Sequence, residues 1–161
     1  METIINTMPA TAKVWIYQAD RIFSTTELDK VEKLLTDFIN NWNSHGKAIT
    51  GAFEIRFNQF IVLMADENVA SVSGCSIDSS VAVVREIEKQ LSINLLDKSK
   101  IAFLKNDDSI ELINFQEIKN AVQNGVIQAE TKTFNNMLTN FEEYSKNWIV
   151  SSKDSWLKRY F

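Results

Sequence analysis

A single apolar stripe at helical spacing runs from Leu28 to Trp42 and constrains the fold more than any other feature. Its members follow one another at steps of three, three, one, three, one and three residues: Leu28, Val31, Leu34, Leu35, Phe38, Ile39 and Trp42. Ser24 and Glu27 form a capping-box pattern before it, and Gly46 follows as a left-handed cap, so we expect a helix over 25–44. A helix with one apolar face covers only one surface, and the chain must supply a sheet beneath it.

Segments rich in β-forming residues lie on both sides of this helix and supply that sheet. The expected core elements, in chain order, are strand 13–19, helix 25–44, strands 49–57 and 59–65, helix 77–92 and strand 100–104. Ser76 is the expected N-cap of the second helix. This β-α-β-β-α-β order predicts a ferredoxin-like sheet, with its four strands in one mainly antiparallel sheet and both helices on the same face.

The C-terminal third adds further elements to this core. A strand over 109–113 pairs with 100–104 around the turn residues Asn106–Asp108, and a helix over 114–124 stops at Gly125. A last long helix is expected from the apolar positions Phe134, Met137, Leu138, Phe141, Tyr144 and Trp148. The predicted class is α+β: a ferredoxin-like sheet with an added hairpin strand and C-terminal helices. We expect a flexible tail over 1–10 and a single domain over 11–161.

Composition excludes several function classes. The net charge of −4 over 161 residues disfavours a nucleic-acid-binding domain, because phosphate binding needs a basic surface. One Cys and one His exclude a disulfide scaffold and the common zinc spacings, so we expect neither a metal nor a cofactor. The first ten residues lack the features of a secretory signal, and no apolar run is long enough to span a membrane. A cytoplasmic location without membrane association is therefore expected.

Cys75, at the start of the second predicted helix, is the one candidate nucleophile. The positive end of the helix dipole favours a thiolate there, and free amide groups can stabilise an oxyanion. The predicted topology brings the end of the first helix to the same sheet edge. His45, Cys75 and Asp78 should therefore lie at one end of the domain, where they could act as base, nucleophile and orienter.

A structural role for these residues is the alternative interpretation, and for Cys75 it is the one we favour. Free Cys is among the most buried residue types, so Cys75 is expected to be a small buried hydrophobe beside ordinary turn and cap residues. Trp42, at the end of the apolar stripe, is expected to be buried against the sheet. Four aromatic residues near the C-terminus either dock on the core or form an exposed patch for a partner subunit: Trp148, Trp156, Tyr160 and Phe161.

Two short stretches, Ser73–Asp78 (SGCSID) and Trp42–Gly46 (WNSHG), carry a resemblance. With them the chain resembles, over nearly its whole length, a family of small uncharacterised proteins from Bacteroidetes-type bacteria. Some members bear the label "ABC transporter ATPase". The sequence gives that label no support, because Ser44–Lys47 (SHGK) lacks the earlier Gly and the following Ser or Thr of a P-loop. The resemblance implies a cytoplasmic bacterial domain of unknown function and transfers no catalytic residues.

These observations favour a cytoplasmic α+β module that binds a small ligand or a protein and that can pair as a homodimer. The alternative is a cysteine-dependent enzyme, with thiol or acyl-transfer chemistry at Cys75, His45 as base and Asp78 as orienter. The pH dependence of Cys75 alkylation discriminates between the two.

Overall fold

The computed structural model of the protein describes residues 8–161. Residues 1–7 of the predicted tail lie outside the described residues. Met8, still within that predicted tail, is buried in the same apolar cluster as Phe134 and Tyr144. The described chain is a mixed α+β protein with antiparallel sheets, as the class prediction states.

The first sheet consists of three long strands in the order β1-β5-β4. They are β1 (Lys13–Gln18), β4 (Thr50–Arg56) and β5 (Phe60–Asp66), all paired antiparallel. The central strand β5 is fully buried from Phe60 to Ala65. This explains its continuous apolar sequence, since a strand covered on both faces has no polar side.

Both long helices cover one face of this sheet, as the sequence predicts. They are α1 (Thr25–Asn41) and α2 (Gly74–Leu91). Val31 and Leu35 of α1 pack with Val84 and Ile87 of α2 over one set of alternating strand residues that includes Leu63. The Ser24–Glu27 capping box that begins α1 is formed in both directions.

A second sheet covers the opposite face in the order β7-β6-β8-β9. Its strands are β6 (Lys100–Leu104), β7 (Ile110–Asn114), β8 (Lys132–Phe134) and β9 (Ile149–Ser151). Between the two sheets lies an aromatic cluster in which the ring centroid of Phe60 is 4.7 Å from that of Phe134 and 5.1 Å from that of Trp148. The described chain therefore has three layers: helices, first sheet and second sheet.

The prediction that 100–104 is the fourth strand of the first sheet is wrong, and with it the expected four-stranded sheet. That segment is β6, and it pairs with β7 and β8 instead. The free edge of β1 is occupied otherwise: the Val14 amide donates to the Thr139 carbonyl at 3.1 Å, and Lys13 forms a bridge with Asn140. These contacts involve only the first residues of β1, and there the paired backbone groups cannot pair with a fourth strand.

The predicted hairpin of 100–104 with 109–113 is confirmed as β6–β7. The helix predicted over 114–124 begins as a 3₁₀ turn, Phe115–Glu117, continues as α3 (Ile118–Gln123), and ends before Gly125 with φ +74°. The polypeptide ends in two further 3₁₀ turns, Ser152–Asp154 and Trp156–Tyr160.

The long last helix predicted through Phe134 and Trp148 is wrong. Phe134 lies in β8, and the only α-helix in the described chain after it is the short α4 (Phe141–Asn147). The Asn140 side chain caps α4 by accepting from the Glu143 amide at 2.9 Å. The apolar positions repeat at helical spacing, but Asn side chains that bond nearby amides favour turns and caps over a continuous helix.

Candidate functional site

The first wall of the candidate site is a small hairpin that follows α1. The helix ends at Asn41 rather than near Gly46 as predicted, and Trp42 turns into extended backbone. Two short strands follow, β2 (Asn43–Ser44) and β3 (Lys47–Ala48). Between them His45 and Gly46 adopt φ values of +51° and +81°, as the two central residues of a tight hairpin turn require. Gly46 therefore serves the hairpin and not the helix end.

The second wall is the beginning of α2, which starts earlier than predicted. Its N-cap is Ser73, not Ser76, and the helix begins at Gly74. The Ser73 hydroxyl accepts from the Ser76 amide at 3.2 Å, while the Ser76 hydroxyl accepts from the Ser73 amide at 2.7 Å. Ser76 thus takes the place that Glu or Gln occupies in the usual capping box. Cys75 lies in the first turn of an 18-residue helix.

Trp42 holds the two walls together. It is buried, as predicted, and its indole Nε1 donates to the Ser76 carbonyl of α2 at 2.9 Å. Its ring contacts Phe38 at a centroid distance of 5.0 Å and Trp15 at 6.0 Å. Gly51 of β4 allows this close approach, because a Cβ there would lie 2.9 Å from Trp42 Cε3.

A surface cleft of about 240 Å³ opens between these walls. Side chains of α1, the hairpin and α2 line it: Phe38, Asn41, Trp42, Asn43, His45, Ser73, Cys75 and Ser79. The lining side chains other than His45 and Cys75 are aromatic, amide or hydroxyl groups, which carry no charge near neutral pH. The cleft therefore combines aromatic surface with hydroxyl, amide, thiol and imidazole groups.

Cys75 and His45 both line this cleft, although 30 residues separate them in the sequence. The Cys75 side chain is exposed, so the favoured interpretation of a small buried hydrophobe is wrong. Its place in the first helical turn, on the solvent side, explains the exposure. The helix turns its Ser76 and Ser80 face to the interior instead. Within residues 8–161 no hydrogen bond joins the thiol to the imidazole.

Asp78 does not line the cleft. It belongs to a separate groove of about 440 Å³ along α2, beside Val81, Ala82, Arg85, Glu86 and Lys89. Successive residues of an α-helix are related by a rotation of about 100° about its axis, so Asp78 and Ser79 lie on opposite sides of Cys75 when the helix is viewed along that axis. Ser79 faces the cleft, and its hydroxyl donates to the Cys75 carbonyl at 3.0 Å. Of the three predicted site residues, the structure brings two into one cleft.

Sequence reasoning overlooked most of the cleft lining, including Asn41, Asn43, Ser73 and Ser79. The one available signal was the Ser73-x-x-Ser76 pattern, which marks a helix start three residues before the predicted one. The amide and hydroxyl side chains gave no signal, because such residues are equally common in ordinary turns.

The C-terminal aromatic residues divide between the two predicted outcomes. Trp148 is buried, and its indole donates to Asn136 Oδ1 at 2.9 Å. Trp156 and Phe161 are about half exposed, with 45% and 47% of the residue surface accessible to solvent. The Trp156 ring stacks on the exposed Phe115 ring at a centroid distance of 5.9 Å. The tail therefore docks in part and leaves an aromatic pair on the surface.

Residues 8–161 contain neither a metal-binding cluster nor a membrane-spanning helix. Among them no group of three or more His, Cys, Asp or Glu side chains is arranged to hold a metal ion. No helix in the same range has the length and apolar character needed to cross a membrane.

No family model, no curated protein and no solved structure matches this chain. The resemblance carried by Ser73–Asp78 and Trp42–Gly46 therefore stays a prediction. The cleft is therefore the feature from which a function is inferred.

Proposed function

We propose that the protein is a binding module for a small polar ligand, and that the cleft between the β2–β3 hairpin and α2 is its site. The observation that supports this most is the lining of the cleft, in which the aromatic surface of Phe38 and Trp42 adjoins hydroxyl, amide, thiol and imidazole groups. Ligand sites combine apolar surface with a few polar groups that fix orientation in this way. The uncharged amides and hydroxyls suit a ligand that both donates and accepts hydrogen bonds.

The walls of the cleft are held in place before any ligand arrives. Trp42 connects the end of α1 to the start of α2 through its bond to the Ser76 carbonyl, and the Ser73–Ser76 capping box fixes the first turn of α2. The positive φ angles of His45 and Gly46 fix the hairpin turn. A preformed site loses less conformational entropy when it binds, which favours affinity for a small molecule.

The test is a screen of fragment-sized polar compounds against the full chain, read from backbone amide chemical shifts. We expect binders to shift Asn43, His45 and Cys75 together. Ser79→Trp fills the cleft and should abolish these shifts. Ala82→Trp is the matched control, because Ala82 is exposed on the same helix but lies in the other groove. Binding that persists in Ser79→Trp, or that shifts only residues elsewhere, would contradict the proposal.

A cysteine-dependent enzyme is the second candidate, favoured by the exposed Cys75 thiol in the same cleft as His45. In acyl transfer the Cys75 sulfur would attack an ester carbonyl while His45 accepts the thiol proton. The alcohol would leave with the proton that His45 returns, and water would then hydrolyse the thioester to release the acid and the free Cys75 thiol. Asp78 faces the other groove, so a place as orienter of His45 has no support from its position.

p-Nitrophenyl acetate distinguishes this enzyme from a binding module with a merely accessible thiol. An enzyme releases nitrophenolate over many turnovers, and both Cys75→Ser and His45→Ala remove that turnover. A binding module releases at most one equivalent and stops as the acetyl-thioester. That single burst would reject the enzyme and leave the binding proposal standing.

We also propose that the ferredoxin-like description applies to the core of β1, α1, β4, β5 and α2. The strand order β1-β5-β4 and the two helices on one face support it. Where that fold has its fourth strand, the Thr139–Asn140 segment contacts the first residues of the free edge of β1.

A further inference from the structure

The strand β7 is an edge of the second sheet, and half of its backbone groups face outward. Lys105 N–H donates to the Ser109 carbonyl and Phe115 N–H donates to the Ser99 carbonyl, which fixes the alternation of the β6–β7 ladder. The residues between them whose amides and carbonyls point away from β6 are Ile110, Leu112 and Asn114. Within residues 8–161 no strand pairs with them on that side. The Asn114 carbonyl is the N-cap acceptor of the 3₁₀ turn Phe115–Glu117, so the free groups are the three amides and the carbonyls of Ile110 and Leu112.

This edge has few of the devices that usually protect such strands: it is short and carries one charged side chain. Ile110–Asn114 contains no Pro and no Lys, and its one charged residue, Glu111, forms an ion pair with Lys105 at 3.5 Å. Ile110, Leu112 and Ile113 are only partly buried. A weakly protected apolar edge is a template for pairing with another strand.

The two ends of β7 carry complementary charge. At its start the hairpin tip presents Asp107 and Asp108. At its other end lies the exposed Phe115–Trp156 pair. Within four residues of that pair in the chain, the exposed cations that form no ion pair within residues 8–161 outnumber the exposed carboxylates that form none by three to two: Lys119, Lys158 and Arg159 against Glu117 and Asp154. None of these three cations has a carboxylate within 4.0 Å in the part of the chain that the structure describes.

We infer that β7 pairs with β7 of a second copy of this chain, antiparallel and centred on Leu112, to form a homodimer with a continuous eight-stranded sheet. In this register Leu112 lies opposite the partner's Leu112, and the outward amides and carbonyls of both strands bond one another. Ile110 lies opposite the partner's Asn114, and Glu111 lies opposite the partner's Ile113. No like charges oppose each other along the strands.

In the same register, the acidic hairpin tip of each copy lies beside the aromatic end of the other. Phe115 lies opposite the partner's Ser109, so the aromatic pair and its cations meet the acidic hairpin tip of the other copy. The two-fold axis repeats the contact at the far end. A half-exposed aromatic pair beside a charged rim is the usual composition of an interface anchor. This complementarity of the chain with itself is why we choose a second copy as the occupant.

The test is sedimentation velocity of the full chain over a wide concentration range, with two charge variants at exposed positions. D107K with D108N makes the hairpin tip basic, and K158E with R159E makes the aromatic end acidic. Each variant alone places like charges together and should weaken dimerisation about tenfold or more. An equimolar mixture of the two restores opposite charges at both ends, so we expect a heterodimer as strong as the wild-type dimer.

Hydrogen exchange provides a second readout that does not depend on the variants. Dimerisation should slow the exchange of the Ile110, Leu112 and Asn114 amides, while those of Glu111 and Ile113 are already protected by β6. A wild-type chain that stays monomeric, a dimer insensitive to both charge variants, or a different protein bound at β7 in place of a second copy would overturn the inference. The cleft proposal is tested separately, because Ser79→Trp should dimerise like the wild-type chain.

Discussion

The two sheets of this protein differ in what determines their structure. The first sheet uses strands of six and seven residues, and its two helices have 17 and 18 residues. The second uses strands of three to five residues with helices of six and seven. Long elements carry enough apolar periods to specify their own conformation, whereas short ones depend on what they pack against.

The candidate functional surfaces also differ between two regions of the molecule: the first region is the first sheet with α1 and α2, and the second region is the second sheet with α3, α4 and the 3₁₀ turns. The cleft with Cys75 and His45 lies where long elements of the helical layer end, on walls held by Trp42 and the Ser73–Ser76 cap. The unpaired edge and the exposed Phe115–Trp156 pair belong to the second region. A rigid framework suits a small-ligand site, and an open sheet edge suits an assembly surface.

The largest loss of stability is expected at Phe60, where the two regions pack against each other. This side chain is fully buried between the sheets, against Phe134 and Trp148. Phe60→Ala should lower the free energy of unfolding by about 3–5 kcal/mol, measured by urea denaturation. Circular dichroism and tryptophan fluorescence should still report one coincident transition.

Two separate unfolding transitions would show that the regions fold independently. Phe161→Ala, at an exposed position, is the control and should change stability by less than about 0.5 kcal/mol.

A smaller loss in the free energy of unfolding is expected from a change at Trp42, which lies within the first region. Trp42→Phe keeps most of the ring but removes the Nε1 donor, which leaves the Ser76 carbonyl without its bond from the indole. The expected cost is about 1–3 kcal/mol in thermal or urea unfolding, because one buried hydrogen bond is lost and the smaller ring leaves part of the buried space empty. Trp156→Phe, the same change at an exposed position, serves as the control. Equal effects at the two sites would mean that the Trp42 indole contributes nothing to the wall of the cleft.

Tyr144 tests the polar contact between the regions. Its hydroxyl donates to Glu54 Oε2 at 2.7 Å and accepts from Arg56 Nη1 at 3.0 Å, both on β4. Burial and then the bond to the Glu54 carboxylate raise the pKa of Tyr144 well above its ordinary value, so the hydroxyl stays protonated. Tyr144→Phe should cost about 1–2 kcal/mol. If Tyr144→Phe costs the same in a Glu54→Gln background, the hydroxyl and the carboxylate are not coupled.

The smallest effect is expected at the capping box of α1, and it depends on pH. The bidentate bond from Arg21 and then the Ser24 amide lower the pKa of Glu27 from an ordinary value of 4.5 to about 2. A lowered folded-state pKa gives stability above the unfolded-state pKa, and this stability is lost as pH falls through the folded value. Glu27→Gln should therefore cost about 0.5–1 kcal/mol at neutral pH, and the difference should vanish near pH 2. Glu32→Gln on the same helix is the control, and a Glu27 effect that does not depend on pH would contradict the assignment.

The sequence predicts the first region well and the second poorly, for reasons visible in particular residues. The apolar stripe and the Ser24–Glu27 box define α1, whereas Phe134 and Trp148 share a helical spacing by coincidence and lie in or beside short strands. No local signal shows that Thr139 and Asn140 occupy the free edge of β1. Contacts between segments far apart in the sequence determine which strands pair, so the pairing cannot be predicted from any short segment alone.

The candidate site was predictable to the same extent. The order of elements brings the end of α1 to the start of α2, and this is enough to bring His45 and Cys75 to one cleft. Which side of Cys75 faces that cleft depends on the rotation of α2 about its axis, so the choice between Asp78 and Ser79 could not be made from spacing. The exposure of Cys75 follows from where α2 begins: with Ser73 as the N-cap, Cys75 lies on the solvent side of the first turn, whereas a helix capped by Ser76 would leave Cys75 in the preceding loop.

The most direct test of the account is the alkylation of Cys75 by iodoacetamide in the folded protein. The account predicts labelling under native conditions at a rate within about tenfold of the urea-unfolded chain, because the thiol is exposed in the cleft. Ser79→Trp, which fills the cleft, should slow this labelling, and Ala82→Trp should not. Labelling that occurs only after unfolding would show a buried structural thiol. That result would contradict both the cleft and the functions proposed for it.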